Sequence, residues 1–120
     1  MNRNKLIEIF ISNLTNSIVH QILEKAIDQQ EIAERYYKEV KNSWEIAKNY
    51  REKINPENRS LSIHDTKEIK DKITRKVNSE LNLRISKGYQ NINLSLVEEL
   101  TNDALKNSKS PTSHPLTNQI

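Results

Sequence analysis

The stretch that decides the fold is Ile22-Leu-Glu-Lys-Ala-Ile-Asp-Gln-Gln-Glu-Ile-Ala-Glu-Arg-Tyr-Tyr37. On both sides of it the chain carries a helical pattern, and residues 1–55 contain neither Pro nor Gly to interrupt one. Within it, Asp28-Gln29-Gln30-Glu31 has the spacing of a capping box, with Ile27 and Ile32 placed as a hydrophobic staple. Read that way, one helix ends at residue 27, a second starts at Asp28, and the two fold back as a hairpin. The competing reading is one continuous helix over residues 3–54, about 75–80 Å long at 1.5 Å per residue. The hairpin is preferred because the apolar phase after residue 32 does not continue smoothly from the phase before residue 28.

Working outward, the first segment steps in fours through Leu6, Phe10, Leu14, Ile18, Ile22 and Ala26, with a flanking row at Ile7, Ile11, Val19, Leu23 and Ile27. At about 100° per residue such a row drifts around the helix, which suits oblique packing better than a parallel coiled coil. The second segment runs through Ala33, Tyr36, Tyr37, Val40, Trp44, Ala47, Tyr50 and Ile54 and stops at Asn55-Pro56, since the residue before Pro avoids the helical region. A third helix starts at Asp65, with Glu68 completing a second box, and carries Ile69, Ile73, Val77, Leu81 and Ile85 up to Gly88, a left-handed cap. Ser95 and Glu98 mark a short fourth helix, and from Ser108 the composition is that of a flexible tail. The sequence therefore predicts an all-α protein with helices over 3–27, 28–54, 65–87 and 95–107. It forms one helical domain over 1–107 built on a long antiparallel hairpin, with the first three helices as the bundle and a mobile segment over 108–120.

Composition narrows the chemistry. Leu, Ile, Val and Phe make up 31 of 120 residues, above the roughly 20% below which a charged chain stays disordered, although mean hydropathy is only −0.83. With no Cys, disulfides, cysteine zinc sites and thiol nucleophiles are excluded, and a single Gly cannot build a phosphate-cradling loop. No run approaches the ~18 apolar residues of a membrane span, so a cytoplasmic protein with no membrane association is expected. Net charge is +3. The third helix holds Lys67, Lys70, Lys72, Arg75, Lys76, Arg84 and Lys87, but most have a carboxylate four residues away, as in Lys67–Asp71–Arg75, Glu68–Lys72 and Lys76–Glu80–Arg84. The second helix repeats this with Glu31–Arg35–Glu39, Glu34–Lys38, Lys41–Glu45 and Lys48–Glu52. Such ladders belong to solvated faces, whereas a phosphate-binding face leaves cations unpaired on one side. Nucleic acid is thus the second-ranked partner.

Four of the six aromatic residues, Tyr36, Tyr37, Trp44 and Tyr50, share the apolar side of the second helix, and Trp and Tyr dominate interface hot spots. The first helix is apolar around much of its circumference and must be buried, either inside the fold or against another chain. Leu6, Phe10, Tyr36, Tyr37, Trp44 and Tyr50 are accordingly the candidate partner-binding residues. The expected function is non-enzymatic, acting through protein–protein contact as an adaptor, assembly subunit or regulator, and through a homodimer in particular. On that reading Phe10→Glu yields monomer with helix content intact. His20, Glu24 and Asp28 lie at four-residue steps but match no zinc spacing, so neither metal nor cofactor is expected. The segment Arg59-Ser-Leu-Ser-Ile-His64 is similar to the Arg-x(4–6)-His signature of HEPN-type ribonucleases, small all-helical proteins that often dimerise. That resemblance implies Arg59 holding phosphate and His64 in acid–base cleavage of RNA, and it is the third-ranked function.

Overall fold

The computed structural model describes residues 1–55 and 59–106. Four helices, α1 (Arg3–Ala26), α2 (Gln30–Ile54), α3 (Ile63–Ser86) and α4 (Leu96–Lys106), take up 82% of these residues with no strand among them, so the class is all-α. The greatest extent of the molecule, 42 Å, excludes the long rod. The predicted tail over 108–120 lies outside the described residues.

The hairpin forms where the sequence places it, but the capping box does not close. Ile27 and Gln29 are extended, α2 begins at Gln30, and its N-cap residue Gln29 makes no side-chain capping bond. Reversing the chain between two antiparallel helices takes three residues here, and a helix starting at Asp28 would leave too few. The start of α3 is shifted the other way. Ser62 is its N-cap, with Oγ accepting from the Asp65 backbone N–H at 3.0 Å, so Asp65 sits in the first turn instead of capping it. At the start of α4 the Ser95 hydroxyl donates to Asn93 Oδ1 at 2.6 Å, and Asn93 also receives the Ser95 N–H. The end of α3 is as expected. Gly88 has φ +100°, its N–H donates to the Ile85 carbonyl and the Tyr89 N–H to that of Arg84, the paired bonds of a Schellman cap.

The core sits on α1. Phe10, Ile11, Leu14, Ile18, Val19, Ile22 and Leu23 are all buried, and α2, α3 and α4 each pack on this helix, while α2 and α3 do not pack on one another among the described residues. The expected three-helix bundle is therefore a helix with three neighbours. A polar seam sets the register of α1 against α2. Asn16 Nδ2 donates to Glu39 Oε1 and Ser43 Oγ at 2.7 and 2.6 Å, and the fully buried Ser17 donates to the Val40 carbonyl at 3.2 Å. From Arg3–Asn55 through Asn16–Ser43 to His20–Tyr36 the partner numbers fall along α2 as they rise along α1, so the pair is antiparallel. On the other flank α3 runs parallel to α1. Arg3 Nη2 donates to Asp65 Oδ2 at 2.7 Å at the two first turns, and Val19 and Arg84 share a groove further along. The same Arg3 nitrogen reaches Asn55 Oδ1 at 3.0 Å, clasping the end of α2 as well. Hydrogen bonding from Arg3 holds the Asp65 carboxyl below its ordinary range.

On α3 Ile69, Ile73, Val77 and Leu81 are buried, yet Ile85 is exposed, because four steps of four residues rotate the row about 160° from its start. α4 contributes the buried Val97 and Thr101 and the half-buried Leu96, Leu100, Ala104 and Leu105.

The apolar girth of α1 is thus covered from within the chain. Leu14, with no exposed surface, is expected to lose about 2–5 kcal/mol on substitution by Ala, measured by urea unfolding. Phe10→Glu puts a charge into the core and is expected to abolish helical circular dichroism at room temperature, not to yield a helical monomer.

Candidate functional site

The residues singled out from sequence separate into two groups. Phe10 and Trp44 are buried at 4% and 5% exposure and belong to the core. Leu6, Tyr36, Tyr37 and Tyr50 are half-buried. Tyr36 meets the His20 ring edge-on at 5.6 Å, and Lys41 and Lys53 lie 5.9 and 5.2 Å from the rings of Tyr37 and Tyr50. These cations cover the aromatic stripe from its solvent side, as amphipathic lysine stems do.

Among the described residues the expected charge ladders are mostly open. Of the four-residue pairs, Glu80–Arg84 closes at 2.9 Å, while Arg75 donates to the Asp71 backbone carbonyl. Lys70 instead reaches Glu98 of α4 at 3.3 Å, tying that helix to α3.

Arg59 and His64 flank the entry to α3. The Arg59 carbonyl accepts from Arg51 Nη2 at 3.0 Å, and His64 stands in solvent with Nε2 3.7 Å from Glu68. His20 Nδ1 is engaged by the Asn16 carbonyl at 2.8 Å, and among the described residues no group of three His, Asp or Glu is arranged to hold a metal ion. No described helix is long and apolar enough to cross a membrane.

Two features were not legible beforehand. The first is a cavity of about 310 Å³ where α2, the C-terminal turn of α4 and the chain around residues 60–66 converge. Phe10, Trp44, Arg51, Leu61 and Leu105 are among the residues in its wall. Trp44 Nε1 and Arg51 Nη1 are both buried and without hydrogen-bond partners, and burial pushes the Arg51 pKa down. A signal for Arg51 existed: it lies four residues after Ala47 and seven after Trp44, on the apolar stripe, with Ala47 and Asn55 where the ladder would supply a carboxylate. Neither Arg59 nor His64 lines this cavity. The second is Glu24, 1% exposed near the end of α1 with Oε1 unpartnered. Burial raises its carboxyl from 4.5 to about 7, against a smaller downward pull from Lys25.

Comparison with models of protein families, with curated proteins and with solved structures finds no match to this chain.

The Glu24 environment fixes a pH dependence. Its folded pKa lies above the unfolded one, so the folded state binds more protons between pH 4.5 and about 7, and stability falls as pH rises through that window. Glu24→Gln removes the titration. Below the window it is expected to match wild type, and above it to exceed wild type by on the order of 3 kcal/mol, read by urea unfolding on both sides.

Proposed function

We propose that this chain is a non-enzymatic, cytoplasmic helical protein that works through protein–protein contact, and that its first partner is a second copy of itself. One observation carries the reading. Among the described residues six large hydrophobic side chains are exposed, and four of them, Leu83, Ile85, Tyr89 and Leu94, fall in one stretch across the end of α3 and the connection to α4. Leu83 is 51% exposed and Tyr89 43%. The four are neighbours in sequence, with Leu83 and Ile85 about 160° apart around α3; this concentration of uncovered apolar side chains is what supports a partner at this end of the molecule, and a two-fold dimer is the commonest way to cover such a surface. The half-exposed Leu6, Tyr36, Tyr37 and Tyr50 are the members of the sequence-derived partner set that offer surface to a partner. Phe10 and Trp44 serve that role only indirectly, by holding α1 and α2 together.

The nucleic-acid alternative has less to support it. The groove between α1 and α3 brings together Lys72, Arg75 and Lys76, but with Arg3 these four cations face Glu8, Asp65 and Glu68, a balance that leaves little net positive potential. RNA cleavage has the least support, since His64 is exposed and paired with Glu68 at the surface.

Sedimentation tests the proposal. Wild type is expected to dimerise in the tens of micromolar, and the double substitution Leu83→Ser with Tyr89→Ser to sediment as a monomer with unchanged helix content. A wild type that stays monomeric throughout that range rejects self-association through this stretch.

A further inference from the structure

We propose that the groove between α1 and α3 is a docking site for a short acidic amphipathic helix of a second protein. The helices α2, α3 and α4 cover most of α1 and leave the side of Glu8 and Ser12 in water. Both of these residues line the groove. It consists of two hollows of about 920 and 450 Å³ that join at Lys76 and Ser79. On α1 it runs from Arg3 to Val19, about 24 Å or roughly four turns at 1.5 Å per residue.

Charge is sorted along this groove. Where the two helices start, Glu8, Asp65 and Glu68 each have a basic neighbour: Lys5 at 3.8 Å, Arg3 at 2.7 Å and His64 at 3.7 Å. At the far end Glu80 is held by Arg84 at 2.9 Å. Between them Lys72, Arg75 and Lys76 are all exposed, and none of the three is ion-paired among the described residues. Arg75 donates only to the Asp71 backbone carbonyl, at 3.3 Å. Across the groove from Lys76, α1 presents Ser12, Asn13 and Asn16, which carry no charge.

The three cations follow one another at steps of three and four residues, so they form one edge of α3. That edge calls for carboxylates at the same spacing on the occupant, because opposite charge across an interface fixes register and suppresses wrong partners. A nucleic acid would find a single turn of cations to hold, and few phosphate contacts give weak binding. The half-buried Ile7 and the alkyl stems of Lys72 and Lys76 supply the apolar part of the wall. They lie between two helices, which suits a side chain carried on a third helix better than a flat lipid surface. No strand occurs among the described residues, so there is no sheet edge for an extended segment to join, and a helix in a groove is the mode of recognition this fold offers. The site shares no residue with the stretch from Leu83 to Leu94, so it stands or falls separately from self-association.

The experiment titrates the full chain into a labelled synthetic peptide of about 16 residues, the length of the groove, followed by fluorescence anisotropy. This peptide carries Leu along one helical side and Glu beside it. A second peptide has Lys in place of Glu, and a third keeps the composition of the first with the Leu positions scrambled. The acidic amphipathic peptide is expected to bind saturably below about 100 μM and at least about tenfold more tightly than either of the others, and more weakly as salt rises. Lys72→Glu with Lys76→Glu is expected to reverse the order of the Glu and Lys peptides. Both lysines are exposed, so helix content is expected to match wild type. Lys72→Gln with Lys76→Gln is expected to weaken the acidic peptide at least about tenfold and keeps the test decisive if the reversed protein does not fold. The Leu83→Ser, Tyr89→Ser protein is expected to bind as wild type does, and loss of binding there overturns the assignment to this groove. The site is also overturned by the absence of saturable binding up to about 1 mM, by a reversed protein that still prefers the acidic peptide, or by a scrambled peptide that binds equally well. Tighter binding of single-stranded RNA or phosphatidylserine vesicles, lost in the reversed protein, overturns the protein partner. A reversed protein that changes from dimer to monomer in sedimentation gives the groove to a second copy of this chain and overturns it as well.

Discussion

Everything in this fold follows from the need to cover α1. A helix with apolar residues at Phe10, Ile11, Leu14, Ile18, Val19, Ile22 and Leu23 is buried around most of its girth, and leaves only the side of Lys5, Glu8 and Ser12 in water. One partner helix cannot enclose it, so α2 takes one flank, α3 the other, and α4 closes over the remainder. The other helices are each amphipathic in the ordinary way. Their order in the chain matters less than the fact that all three meet the same central cylinder, and the Arg3 clasp to Asn55 and Asp65 pins two of them at its first turn.

Element positions were legible because apolar spacing and turn chemistry agreed. Pro56 forces Asn55 out of the helix, and Gly88 takes up the left-handed conformation that closes α3. The caps were less legible. Asp28, Asp65 and Ser95 each have a partner three residues on, but which polar residue takes a cap depends on where the neighbouring helix lets the chain turn, and no local spacing encodes that. The arrangement around α1 was half legible. Its apolar girth required burial, yet the choice between another chain and the protein's own α4 rests on how far an eleven-residue helix reaches. The candidate site was hardest to read. Arg51 looks like another surface cation unless its phase against Ala47 and Trp44 is followed, and Glu24 passes for a solvated carboxylate in a row with His20.

The buried polar groups divide into two kinds. Asn16, Ser17, Ser43 and Thr101 have their bonds made, and the first three fix the register of α1 on α2. Thr15, Glu24, Trp44 and Arg51 retain buried atoms with nothing to bond. The first kind gives the hairpin one alignment instead of several. The second kind lowers stability where it stands, and such groups are where a protein's surroundings, through protons or ligands, gain most purchase on its folding equilibrium.

The attachment of α2 has a dynamic consequence. Among the described helices α2 packs on α1 alone, but its far end is held by Asn55 to Arg3 and Ser60 and by Arg51 to Arg59, so it is the N-terminal part of α2, beside residues 27–29, that can part from α1 without separating α1, α3 and α4 from one another. Such a sub-global opening would let amide protons of α2 exchange with solvent ahead of those of α1, whose protection is released only when the whole molecule unfolds. Trp44 and Arg51 ride on α2, so an excursion that spreads as far as these residues dismantles one wall of the cavity.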